Sequence, residues 1–193
     1  MLHWINYLTI TVLTIALFWL LLSDSRKSTT IAFCVVVLMV FSINIQFWTF
    51  GFALSKLITG IMAMLVMAIS PSIPELPGKG GTRAGKVFRA VGFGFCILLT
   101  IFTTNITTEF LSISHDQTIP SLFILFCGFL MIGISKESFH IIIGLLTVLT
   151  GFEILYGAVE QSLLVNGLLA AVFLLIAVVG SYLMTPTIEE EEE

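Results

Sequence analysis

Two charged side chains stand alone inside long apolar runs of this 193-residue chain. Lys56 lies within FGFALSKLITGIMAML, and Glu153 lies within LLTVLTGFEILYG. A charged group inside a bilayer is costly, so it usually faces a partner or water and often marks an ion path. Three interpretations stay open: an ion pair with a structural role, a pairing of each residue with a neighbouring subunit, and a proton or cation path that uses one or both.

His140 is a third ion-path candidate, because histidine titrates near neutral pH and suits proton transfer. It follows Lys136 and Glu137, close to the start of a predicted helix. A hydrogen-bonded structural role at the end of the helix is the favoured interpretation. No His/Cys cluster, motif-supported nucleophile or cofactor fingerprint accompanies these residues, so we expect neither an enzyme nor a bound cofactor or metal.

A near match to a phosphate-binding loop lies between the third and fourth predicted helices. Gly80 is followed after four residues by Gly85-Lys86, but Val87 stands where the motif needs Ser or Thr, and no strand precedes it. We expect neither a nucleotide nor a nucleic acid as partner. A retinal-type photoreceptor is also disfavoured, because its Schiff-base lysine is conventionally on the last helix, which has no lysine here.

The elements that position these residues are predicted to be membrane-spanning helices. The chain is 58% hydrophobic and 10% charged, whereas soluble domains carry about 25% charged residues. A run of about 20 apolar residues spans the hydrocarbon core. The pattern predicts an all-α, polytopic transmembrane bundle at 1–184 and an acidic cytoplasmic tail at 185–193. The predicted helices are 3–22, 29–45, 48–70, 88–108, 119–135, 138–158 and 162–184.

The break between the second and third helices is predicted at the weakly polar stretch 42–46, and the second and fifth helices are short for a span. At 1.5 Å per residue, Lys56 lies roughly 13 Å and Glu153 roughly 9 Å from the outer ends of their helices. An ion pair between them is therefore geometrically possible.

Orientation follows from the basic residues, which favour cytoplasmic loops. The second, fourth and sixth predicted loops contain no Lys or Arg and carry Glu109, Asp116 and Glu160. We predict that the N-terminus is outside and the C-terminus is in the cytoplasm. The basic residues in or beside the odd-numbered loops are Arg26, Lys27, Lys79, Arg83, Lys86, Arg89 and Lys136.

The segment SLFILFCGFLMIGISKESFHIIIGLLTVLTGFEILYG resembles the K subunit of bacterial respiratory complex I, which has three helices, a short basic turn and an Ile-Gly-Leu-Glu pattern. Lys136-Glu137 fills the turn, and Ile143-Gly144-Leu145 begins the pattern. The longer chain is similar to component E of hydrogenase-4-type complexes, including the segment FALSKLITGIMAMLVMAIS. Leu146 stands where the family has its glutamate, Glu153 lies seven residues on, and the last helix has no acidic residue.

The resemblance implies a non-catalytic membrane subunit of a proton- or cation-translocating complex related to complex I or membrane-bound hydrogenase. Its partners would be antiporter-like integral membrane subunits and the lipid bilayer, in a bacterial or archaeal inner membrane. Redox chemistry would belong to other subunits. Two alternatives remain: a stand-alone small ion transporter or channel, and a structural membrane anchor for a soluble partner.

Overall fold

The computed structural model of the chain describes residues 2–70, 83–160 and 162–184. Within these ranges the protein is all-helical, as predicted. The predicted tail at 185–193 and most of the third loop, including Lys79, lie outside the described residues. The described part of the chain forms seven helices: α1 Leu2–Leu22, α2 Arg26–Phe47, α3 Phe50–Ile69, α4 Arg83–Leu111, α5 His115–Ile134, α6 Ser138–Val159 and α7 Leu163–Leu183.

Six of these helices, α2 to α7, are long and apolar enough to cross a membrane. The described side chains of α1, from Leu8 to Leu22, form a shorter apolar stretch. These are the lengths and compositions of an integral membrane protein, because a helix rises 1.5 Å per residue and the hydrocarbon core is about 30 Å thick.

The predicted break at 42–46 is wrong, because these residues continue α2. The backbone carbonyl of Asn44 accepts a hydrogen bond from the Trp48 amide, and the Gln46 side chain bonds back to the Ser42 carbonyl. The chain leaves the helix only at Trp48 and Thr49, both in extended conformation. Consequently α2 has 22 residues. Helix α5 has 20 residues because it begins at His115 rather than at 119, so neither helix is short for a span.

The helices pack as two four-helix rings that share α2 and α6. One ring is α1–α2–α6–α5, with α4 covering α1 and α5, and the other is α2–α3–α7–α6. The first ring holds the largest fully buried apolar side chains, such as Leu17, Phe33 and Ile124. The second ring contains both charged residues that the sequence places inside the membrane.

The closest backbone approach is between α5 and α6. A Cβ atom added to Gly151 would lie 2.7 Å from the Leu125 amide nitrogen and from the Ser121 carbonyl oxygen, and Gly128 is similarly close to Val148. Small residues allow helix backbones to approach closely in membranes. The α5–α6 hairpin is therefore tightly packed, and α2 and α7 pack against its α6 side.

Polar contacts gather the predicted cytoplasmic ends of the helices at one face of the bundle. Asp24, between α1 and α2, lies 2.7 Å from Arg89 Nη1 and 3.4 Å from Lys86 Nζ, both near the start of α4. Ser70 donates a hydrogen bond to the carbonyl of Ser181, which joins the ends of α3 and α7. Except for Lys56, the described lysine and arginine residues all lie at this face, which is the face predicted to be cytoplasmic.

Candidate ion-pair site

Lys56 and Glu153 meet inside the bundle. Lys56 Nζ lies 2.6 Å from Glu153 Oε1, and their side chains are 8% and 9% exposed. The separation is that of a contact ion pair. Among the described residues, no further group bonds to either of these two atoms. Within the bundle, Lys56 Nζ and Glu153 Oε1 are therefore each other's polar partners.

The pair crosses the diagonal of the α2–α3–α7–α6 ring. Helix α3 packs mainly on α2 and α7, and α6 packs mainly on α5, α7 and α2, so α3 and α6 stand at opposite corners of the ring. Their long side chains bridge the space between them. The charges therefore lie on the axis of this ring rather than on a surface that faces lipid.

The wall beside the pair carries a second polar contact between helices. Asn166 of α7 donates a hydrogen bond of 3.2 Å to the hydroxyl of Ser55, the neighbour of Lys56 on α3. By contrast, the hydroxyls of Thr59 and Thr150 donate to carbonyls of their own helices. Ser55 and Asn166 therefore hold α3 and α7 together at the depth of the ion pair.

Two small recesses meet at Glu153. We name the first the outer recess; it is lined by Trp48, Phe52, Glu153, Tyr156, Gly157, Glu160, Ser162, Asn166 and Leu169. The second is the inner recess, lined by Val37, Val40, Phe41, Lys56, Leu57, Thr59, Gly60, Thr150, Glu153 and Phe173. Each has about 20 Å³ of space that water can occupy, whereas one water needs roughly 10–15 Å³.

His140 is not part of this site. Its Nε2 lies 3.2 Å from the Thr29 hydroxyl of α2, and its Nδ1 lies 3.2 Å from Glu137 Oε2. It precedes Glu153 by thirteen positions on α6, which is roughly 20 Å along the helix axis. His140 thus links α2 to α6 by a hydrogen bond at their predicted cytoplasmic ends.

One feature of the site was not anticipated from the sequence. The ring of Trp48 packs directly over Gly157, so closely that a Cβ atom on Gly157 would overlap it. Trp48 thereby forms a wall of the outer recess. A tryptophan close to a glycine in space but 109 positions apart in the chain leaves no local sequence pattern.

No three His, Cys, Asp or Glu side chains come together as a possible metal site in the part of the chain that the structure describes. No protein-family model, curated protein or solved structure matches this chain significantly. The resemblance to complex I and hydrogenase-4 subunits therefore remains a hypothesis that depends on the sequence motifs alone.

Proposed function

We propose that this protein is a non-catalytic membrane subunit of a proton- or cation-translocating complex related to complex I or membrane-bound hydrogenase. The bacterial or archaeal inner membrane is its proposed location, with antiporter-like membrane subunits as its partners. The observation that carries the proposal is the buried Lys56–Glu153 ion pair, which lies on the axis of a helix ring between two water-sized recesses.

The energetics of the pair favour a functional role. Removing two charges from water is expensive, and replacing a buried ion pair with well-packed apolar residues is often neutral or stabilising. Here the described surroundings add no hydrogen bond to Lys56 Nζ or to Glu153 Oε1. The proposal therefore assigns the pair to ion transfer rather than to packing.

The position of Glu153 departs from the family pattern, and the proposal treats it as a displaced counterpart of the family's glutamate. The resemblance puts the family's glutamate at position 146, where Leu146 is fully buried. Seven residues make about two helical turns, so Glu153 lies on roughly the same face of α6. In this proposal, the glutamate of the family has moved along one face of α6, from position 146 to position 153, toward the outer side. Lys56 is its partner there.

The first test is extraction of native membranes with a mild detergent, followed by mass spectrometry of the proteins that co-purify with this chain. Antiporter-like subunits together with hydrogenase- or dehydrogenase-like subunits are the expected result. Recovery of the chain alone or as a homo-oligomer would contradict the subunit role, and the stand-alone transporter would then be tested with the purified chain in liposomes. Recovery with only a soluble protein would indicate the anchor alternative.

The second test addresses the ion pair within the assembled complex. The double variant Lys56→Met/Glu153→Leu removes both charges and retains similar volumes. We expect it to assemble normally and to lose at least about tenfold in ion transport, since the transferring groups are gone. The matched control is Lys136→Met, a charge removal at the exposed cytoplasmic turn. Unchanged transport in the double variant would exclude the pair from the ion path.

A further inference from the structure

We infer that the Lys56–Glu153 pair is reached by water from the outer face only, through the outer recess, while the cytoplasmic half of the ring is closed by apolar packing. This inference concerns the direction of access to the same pair, and its link to ion transfer rests on the proposed function. Access itself is a property of the chain that can be measured without transport.

The outer recess follows one face of α6 from the membrane surface to the pair. Glu153, Tyr156, Gly157 and Glu160 occupy positions i, i+3, i+4 and i+7, which lie on one side of a helix. Glu160 is exposed at the outer end, and Glu153 is buried at the inner end. Seven residues correspond to roughly 10 Å, which is the depth of the route.

The mouth of this route carries a negative charge, although most of the lining is apolar. The Tyr156 hydroxyl lies 3.4 Å from Glu160 Oε2, and both Ser162, which precedes α7, and Asn166 of α7 also line the recess. A cleft lined by charges of one sign concentrates counter-ions. The route therefore favours cations over anions, and its volume of about 20 Å³ suits a proton carried by water or a small dehydrated cation rather than a hydrated ion.

The cytoplasmic half of the same ring is closed. Ala63 and Met67 of α3 and Ala177 of α7 are buried there, together with Phe173. A Cβ atom on Gly60 would lie 2.7 Å from Val37 Cγ1, so α2 and α3 are in close contact just below the pair. Val37, Gly60 and Phe173 also line the inner recess, so the apolar closure lies between that recess and the cytoplasmic face.

The threonines on this side do not open a polar route. Thr147 and Thr150 of α6 donate their hydroxyl hydrogens to the carbonyls of Ile143 and Leu146, four residues earlier in the same helix. Their hydrogens are thus committed to the helix backbone. Thr59 and Thr150, the two threonines of the inner recess, thus have no hydroxyl hydrogen left to donate among the described residues, which fits a route that ends at the pair.

Single cysteines on α7 test this inference in oriented membrane vesicles. Leu169→Cys lies in the outer recess, six residues from the start of α7 and hence at about the depth of Glu153. Leu168→Cys lies at nearly the same depth but points to the outside of the bundle, where Leu168 is 59% exposed. Ala177→Cys lies in the closed half. Peptide mapping by mass spectrometry separates each label from the native cysteines.

The probe is a positively charged, membrane-impermeant thiosulfonate, applied to right-side-out and inside-out vesicles. Because a thiol must be in water to form the reactive thiolate, we expect Leu169→Cys to react from the outer side at least about tenfold faster than Leu168→Cys. Ala177→Cys should react from neither side. Equal rates for the two leucine positions, or reaction of Ala177→Cys from the cytoplasmic side, would overturn the inference.

The charge at the mouth gives an independent second measurement. In the Leu169→Cys background, Glu160→Gln should lower the rate of the cationic reagent severalfold relative to an anionic thiosulfonate. Glu109→Gln, which removes a carboxylate from the same membrane face outside the recess, should leave that ratio unchanged. If the labelling rates differ from these expectations while transport still requires Lys56 and Glu153, one-sided access is overturned and the proposed function stands.

Discussion

Lys56 and Glu153 lie at equal depths on helices that run in opposite directions. Lys56 follows the first residue of α3, Phe50, by six positions, and Glu153 precedes the last residue of α6, Val159, by six positions. Both are therefore roughly 9 Å from the outer ends of their helices. This shared level allows two charges from opposite corners of a ring to meet without bending either helix.

Breaking the pair should destabilise the protein far more than removing it. Lys56→Met leaves the Glu153 carboxylate buried without its counter-charge, which typically costs about 3–5 kcal/mol. The double variant Lys56→Met/Glu153→Leu should recover most of that loss. Thermal unfolding of the purified protein in one detergent would measure all three forms, with Lys136→Met as an exposed control. A single variant as stable as the wild type would show that each charge is hydrated independently.

His140 should contribute to stability rather than to transport. His140→Gln can keep a polar contact with Thr29, so we expect transport in the assembled complex to remain within about twofold of wild type and stability to fall by about 1 kcal/mol. Thr29→Val removes the other partner of the same contact and should cause a similar loss of stability. A transport defect in His140→Gln but not in Thr29→Val would instead assign His140 to proton transfer.

The sequence predicted the seven helices and the possibility of the ion pair because both depend on strong local signals. Isolated charges such as Lys56 and Glu153 are conspicuous within apolar runs. Because their predicted depths are comparable and their charges are opposite, the sequence indicates a possible ion pair. The predicted depth of Lys56 is too large by about 3 Å because α3 begins at Phe50 rather than at 48, and that of Glu153 is too small by about 1.5 Å because α6 ends at Val159 rather than at 158. These two corrections make the depths equal.

Features that arise from contacts between distant helices were not predictable. The end of α2 was placed too early because Ser42, Asn44 and Gln46 look like loop residues, whereas their backbone bonds and the Gln46 side chain continue the helix. Likewise, no local pattern indicates that Trp48 packs on Gly157. Tertiary packing determines both the end of α2 and the Trp48–Gly157 contact, and neither can be derived from the local sequence alone.

The glycines at the α5–α6 contact should be intolerant of substitution. Gly151→Ala puts a methyl group 2.7 Å from backbone atoms of α5, so the hairpin must separate, and overpacking of this kind typically costs about 1–3 kcal/mol. Gly94→Ala is the matched control, because a Cβ atom there meets nothing within 4 Å among the described residues. It should be neutral or stabilising by roughly 0.5–1 kcal/mol. Thermal unfolding in detergent compares the two, and equal stability would contradict the close backbone contact.

The orientation of the bundle decides which compartment the outer recess faces, and exposed turn residues can test it. Asp116, at the start of α5, and Lys136, between α5 and α6, lie at opposite ends of α5 and are both exposed. In intact cells, Asp116→Cys should react with a membrane-impermeant maleimide, whereas Lys136→Cys should react only after permeabilisation, because basic turns are retained in the cytoplasm. The reverse labelling pattern would show that the bundle has the opposite orientation in the membrane, with the same packing. The recess beside Glu160 would then open to the cytoplasm, and the Lys56–Glu153 pair would exchange ions with that side.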